Sequence, residues 1–153
     1  MFRRIQSLIL IVALITACLP FFMPIASISV DTVGIYDIYA AKITERMPEA
    51  GFIAWNYPNM ILTGFSAALI FVGLLLYKKR SLQMRLCIVN TVLQIGAFVL
   101  NWMTVVGLNK NAGGEWHTFV AFGFPLVTAI LVFTSIRFII RDIALMHLYD
   151  RIR

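Results

Sequence analysis

The chain has 153 residues, of which 61% are hydrophobic and 13% charged, with a mean hydropathy of +0.89. A soluble domain of this size carries about twice that charge, so the composition excludes an ordinary water-soluble fold. The formal net charge of +6 does not point to nucleic acid, because the cations flank apolar runs; it reads as an orientation signal for membrane insertion.

Arg3 and Arg4 precede a stretch over 5–30 that holds no charge. A basic start, an apolar run and the segment Ile15-Thr16-Ala17-Cys18 resemble a lipoprotein signal cut before its cysteine. Cys18 is followed by Leu19, Pro20, Phe21 and Phe22, however, and the run exceeds the apolar region of a signal. The favoured reading is an uncleaved membrane helix over about 5–26, kinked or ended by Pro20 and Pro24. Lipidation of Cys18 is the alternative.

Residues 27–56 form a polar connection with four of the seven acids, Asp31, Asp37, Glu45 and Glu49. Ile35, Ile38, Tyr39 and Ile43 follow helical spacing, which predicts a short amphipathic helix at the membrane surface, ended before Pro48. Trp55 and Tyr57 suit the interfacial belt. A second span follows over about 58–77, with Pro58 in its first turn and Gly64 and Ala68 as a small pair for close approach. Lys78, Lys79, Arg80 and Arg85 come next, and then 86–109 carries no charge over 24 residues. About 20 apolar residues span a bilayer as a helix, so a third span is predicted over about 86–108. Gln83, Asn90, Gln94 and Asn101 fall within about 40° on its helical wheel. Amides in hydrocarbon are costly unless partnered, so this face is an interhelical polar stripe.

Gly113 and Gly114 mark a flexible turn over 109–117. A fourth span is predicted over about 118–136, bent by Pro125, with Ala121, Pro125, Thr128 and Ser135 on the face that receives the third. Arg137, Arg141 and Asp142 interrupt the apolar pattern, but Ile139, Ile140, Ile143, Leu145, Met146, Leu148 and Ile152 continue it. The tail, 137–153, reads as the same helix projecting about 25 Å beyond the membrane. Placing both termini and the loop around Lys79 in the cytoplasm leaves only Lys42, Arg46 and Lys110 of the 13 cations outside. The fold class that follows is all-α. It is one membrane domain over 1–153, a bundle of four transmembrane helices with a cytoplasmic C-terminal helical extension.

Three segments together resemble a known family. They are the start Arg3-Arg4-Ile5-Gln6-Ser7, the stretch Leu82-Gln83-Met84-Arg85-Leu86-Cys87-Ile88-Val89-Asn90, and a tail with Arg137, Ile139, Arg141, Asp142, Leu145 and the terminal Asp150-Arg151-Ile152-Arg153. The chain resembles a family of short four-helix membrane proteins of Bacteroidetes-type bacteria, known only as a domain of unknown function. The resemblance singles out Arg4, Ile5, Gln6, Gln83, Arg85, Asn90, Arg137, Arg141, Asp142, Asp150, Arg151 and Arg153. It implies a bacterial inner-membrane location and no activity.

The chemistry available is sparse. Cys18 and Cys87 sit at different depths on this topology, too far apart for a disulfide, and two cysteines offer no metal spacing. His117 and His147 lie at opposite faces, so neither serves a haem held between the spans. No ionisable side chain occupies the centre of a span, which removes the usual parts of a proton relay. No nucleophile and base are paired by spacing, so no catalytic, metal or cofactor-binding residue is assigned and no enzyme activity is expected. The expected role is an accessory or scaffolding subunit of a membrane complex, with the amide stripe as glue. The alternative is an oligomeric small-solute transporter or channel that uses the stripe as a path. Expected partners are membrane lipids, and a protein partner or second copy reached through the C-terminal helix, with no nucleic acid. Candidate contacts there are Arg137, Arg141, Asp142, Leu145, Leu148, Asp150, Arg151 and Arg153.

Overall fold

Long apolar runs must satisfy their backbone polar groups internally, and in this chain they do so as four helices. A computed structural model describes residues 2–30, 34–45, 52–76, 79–112 and 115–151; side chains at 2–5, 30, 52–53, 111–112 and 146–151 fall outside the description. The helices are α1 (Phe2–Phe22), α2 (Tyr57–Leu75), α3 (Arg80–Ala112) and α4 (Phe124–Arg151). Each packs against its chain neighbours and α4 closes the ring against α1, which gives an up-down-up-down bundle. Three helical stretches are long and apolar enough to cross a membrane: Tyr57–Leu75, Arg80–Lys110 and Val120–Leu145. The apolar part of α1, Gln6–Phe22, is shorter.

The buried positions recur at steps of three and four along every helix, the spacing of left-handed knobs-into-holes packing. In α1 they are Gln6, Leu10, Ala13, Ala17 and Pro20; in α2, Asn59, Thr63, Ser66, Ile70 and Gly73. In α3 they are Gln83, Cys87, Asn90, Gln94, Ala97, Asn101 and Val105, and in α4, Thr128, Val132, Ser135 and Ile139, with Ala129 and Ile136 buried beside them. Large apolar side chains off these seams, such as Ile61, Phe65, Val92 and Ile130, are exposed. That is the pattern of a helix bundle whose outer surface meets lipid.

The all-α expectation fails at one end of the bundle, where five short strands form an antiparallel sheet. They are β1 (Ala26–Val30), β2 (Gly34–Ile38), β3 (Lys42–Glu45), β4 (Phe52–Trp55) and β5 (Glu115–Thr118), in the order β4-β3-β2-β1-β5. The amphipathic helix expected within 27–56 is therefore wrong. Ala26, Ile28 and Val30 alternate with Ser27 and Ser29, a period of two that outweighs the coincidental helical spacing of Ile35, Ile38, Tyr39 and Ile43. Gly34 enters β2 with φ of 128°, a backbone conformation in which a Cβ would be strained. The loop expected over 109–117 is shorter than that: α3 runs on to Ala112, and Glu115 to Thr118 pair with β1. Gly113 and Gly114 lie outside the described residues.

The sheet is sewn onto the helix ends. Ala26, Ile28 and Ile38 are buried with Val105 of α3, flanked by Ile43, Leu108 and Phe122. The N–H of Ala40 donates to the Pro20 carbonyl (3.0 Å) and that of Asn56 to the Ala41 carbonyl (2.9 Å). Trp102 of α3 meets Trp116 of β5 edge-on, with ring centroids 5.9 Å apart. With 33 residues, α3 is about 50 Å long, which exceeds the roughly 30 Å of a bilayer's hydrocarbon. Its surplus turns support the sheet.

One proline acts differently from expectation. Pro125 is the second residue of α4 and follows a 3-10 turn over Val120–Gly123, so it starts the helix rather than bending it. Pro20 sits in the last turns of α1, which ends at Phe22, before Pro24. Gly64 lies 3.9 Å from the Phe21 ring once given a Cβ, an ordinary contact between α1 and α2. Ala68 is exposed and takes no part in that approach.

Ile38 is 1% exposed and anchors the sheet to α3. Ile38→Ala leaves a cavity there and is expected to cost about 2–5 kcal/mol locally. Hydrogen exchange is the measurement: amides of β1 and β2 should lose protection while those of α2 and α3 keep theirs. Unchanged protection in β1 and β2 would refute this account of the anchor.

Candidate functional site

The seams divide by chemistry. One half of the interior is apolar, built on Leu10, Ala13 and Ala17 of α1 with Val132, Ile136 and Ile139 of α4, closed by Ile70 and Cys87. The other half, between α2 and α3, is lined by Asn59, Thr63 and Ser66 facing Asn90, Gln94 and Asn101, all buried.

Ser66 is the hub of this polar half. Gln94 donates from Nε2 to the Ser66 hydroxyl at 2.7 Å, and Ser66 donates onward to Asn90 Oδ1 at 2.6 Å. The antiparallel register that sets Ser66 beside Gln94 carries Asn59, two turns along α2, to the level of Asn101, two turns along α3. Asn101 is buried there. At the basic end Gln83 accepts a hydrogen bond from Gln6 Nε2 of α1 at 3.0 Å, across the bundle axis. The four stripe residues thus all point inward, and Gln83, Asn90 and Gln94 have identified partners.

Several of those partners escape a reading by stripe alone. Ser66, Asn59 and Thr63 of α2 keep the same three-and-four spacing as the amides of α3, and that spacing was the available signal. Thr128 lies 2.9 Å from Thr16 of α1, so this member of the small face of α4 meets α1. Not every buried polar atom is satisfied. Both amide atoms of Asn59, Asn90 Nδ2 and Ser135 Oγ have no hydrogen-bond partner among the described residues.

At the basic end the bundle continues beyond the point where hydropathy suggested a free tail. Ile139 is fully buried, Ile143 packs against the apolar core, and Arg80 Nη1 lies 3.0 Å from Asp142 Oδ2. Charge at Arg137 and Arg141 interrupts the apolar count but leaves the seam intact, because both arginines are exposed. Asp142 is therefore engaged in an ion pair inside the chain. The Arg137 guanidinium lies over the Phe133 ring, 5.6 Å from its centroid, and Leu145 is exposed. The side chains of Leu148, Asp150 and Arg151 fall outside the description, and so does all of Arg153.

Among the described residues no group of three His, Cys, Asp or Glu side chains comes together as a metal would require. Cys18 and Cys87 are both free thiols. In the sheet, His117 of β5 opposes Ser27, which opposes Asp37. Serine is the middle member, so the imidazole and the carboxylate stand two strand spacings apart, about 10 Å. A hydrolytic relay needs histidine between the other two, and this row lacks that order.

The hub and the unpaired amide predict opposite signs. Ser66→Ala strips partners from Gln94 and Asn90 inside the bundle and should destabilise it by about 1–3 kcal/mol. Asn59→Leu removes an amide with no partner among the described residues and keeps the same branched shape of four heavy atoms, so it should be neutral or stabilising. Thermal unfolding of the two variants in one detergent checks this. A destabilised Asn59→Leu beside an unaffected Ser66→Ala would reverse the assignment of the hub.

The chain was compared with known proteins. No curated protein matches it. A family model described as Domain of unknown function (DUF4293) matches residues 2–152. A match across so nearly the whole length makes the chain a member of that family, whose description assigns no activity.

Proposed function

We propose that this protein is a four-span component of a bacterial inner membrane with both termini in the cytoplasm, acting as an accessory or scaffolding subunit. The observation that carries the subunit role is the end of α4. Among the described side chains Ile143 is the last that packs into the bundle core, and the helix runs on to Arg151. Ala144 and Leu145 are already exposed, and the sequence beyond them stays rich in apolar residues. A helical end whose sequence carries apolar residues on several sides suits docking of a partner or sister subunit. The orientation rests on the cation count, since Lys79, Arg80, Arg85, Arg137 and Arg141 all gather at the end opposite the sheet. Three helices of membrane-crossing length support the spans, and α1 completes the ring as the fourth.

A second reading, an oligomeric transporter or channel for a small solute, draws on the unpaired amide of Asn59 and on Asn90 Nδ2. The hydrogen bonds that tie Asn90 and Gln94 to Ser66 favour glue over a path.

Two measurements test the proposal. Reporter fusions at Lys79 and Asn111 should fall on opposite sides of the membrane with Lys79 inside; a cytoplasmic signal from Asn111 would overturn the topology. Deleting 144–153 should leave an inserted, folded bundle and abolish whatever co-purifies with the full chain in mild detergent. Retention of every partner by the truncated protein would sink the docking role.

A further inference from the structure

We propose that α4 carries a site for one anionic phospholipid, whose headgroup phosphodiester is held between Arg137 and Arg141. The inference rests on the reading of these helices as membrane spans and goes beyond it to a particular ligand. A shallow, open cleft of about 400 Å³ lies along the surface of α4 near its basic end, lined by that helix's own Thr134, Arg137, Phe138, Ile140 and Arg141. One helical turn separates the two arginines, so both guanidinium groups reach the same spot. Their planar donor forks match the oxygens of a phosphate better than an ammonium would.

The positive charge is left open by its surroundings. The neighbouring acid, Asp142, is taken by Arg80 at 3.0 Å. The other acids with described side chains, Asp37, Glu45 and Glu115, belong to the sheet at the far end of the bundle. Phe133 lies against one face of the Arg137 guanidinium, which leaves its N–H edge for an anion.

A lipid is favoured over a soluble phosphate by what lies beyond the cleft. Leu126, Ile130 and Phe133 are exposed by 38%, 65% and 51%, and share the helix face of Arg137 within about 60°. The track from Leu126 to Arg137 is about 16 Å long, close to half of a roughly 30 Å hydrocarbon layer. That is the length an acyl chain needs when its headgroup sits at the arginines.

The test uses the full chain purified in mild detergent, with phosphatidylglycerol and phosphatidylcholine of identical acyl chains titrated in and bound lipid counted by native mass spectrometry. Wild type should retain one phosphatidylglycerol in preference to phosphatidylcholine. Arg137→Gln with Arg141→Gln should weaken that binding roughly thirtyfold. Lys79→Gln with Arg85→Gln removes two exposed cations outside the cleft and should leave it within about threefold. Equal losses in the two double variants would reduce the site to general attraction and overturn it, as would full retention without Arg137 and Arg141. Displacement of the lipid by millimolar glycerol phosphate would reassign the cleft to a soluble phosphate. Carbonate extraction of the membranes separates the two levels of failure. Wild type released by carbonate defeats the membrane reading itself, whereas an inserted protein without lipid preference defeats only this site.

Discussion

In hydrocarbon a polar group has only other protein groups to bond with, and in this bundle that constraint falls on the seam between α2 and α3. Ser66 answers it by accepting from Gln94 and donating to Asn90. A hydroxyl placed one turn off could not do both, so this short relay fixes how far α2 is slid along α3. The apolar half of the interior has no comparable selectivity, because Leu10, Val132 and Ile139 would pack acceptably in several registers. Specificity comes from the polar half and bulk cohesion from the apolar half. Gln6 and Gln83 repeat the device at the basic end, where they tie α1 to a helix that is not its neighbour in the ring.

The length of α3 decides where the rest of the chain can go. A helix about 50 Å long leaves turns beyond any bilayer core, and Val105 and Leu108 on those turns would be apolar side chains in water. The sheet covers them with Ala26, Ile28 and Ile38. At the opposite end the ion pair of Arg80 with Asp142 brings the first residue of α3 to the closing turns of α4. One helix thus serves as the ruler for both ends of the molecule.

The helices and the inward turn of Gln83, Asn90, Gln94 and Asn101 were legible because both signals are local and periodic. A stripe within about 40° on a wheel needs no knowledge of the partner. The partners themselves were not legible, since Ser66 and Asn59 announce nothing until a register is known. The sheet was missed for a related reason. Its strands have four or five residues, too few for alternation to beat a chance helical match, and β5 pairs with a strand some ninety positions earlier. The packing of Ile139 and Ile143 was not legible in hydropathy, where charge at Arg137 interrupts the count, because the exposed arginines lie off the seam.

The pairing of β1 with β5 imposes an order on how the molecule is made. When β1 emerges behind α1, one of its edges can pair at once with β2, but the other must wait until α2 and α3 have been synthesised. Throughout that interval the chain displays a row of unpaired backbone groups next to the membrane. The same pairing finally links the segment after α1 to the segment before α4, so the sheet closes only when the helices have been brought into a ring. Completion of the sheet is therefore a late, long-range event, and the β1 edge is where an unfinished copy is most exposed to pairing with another.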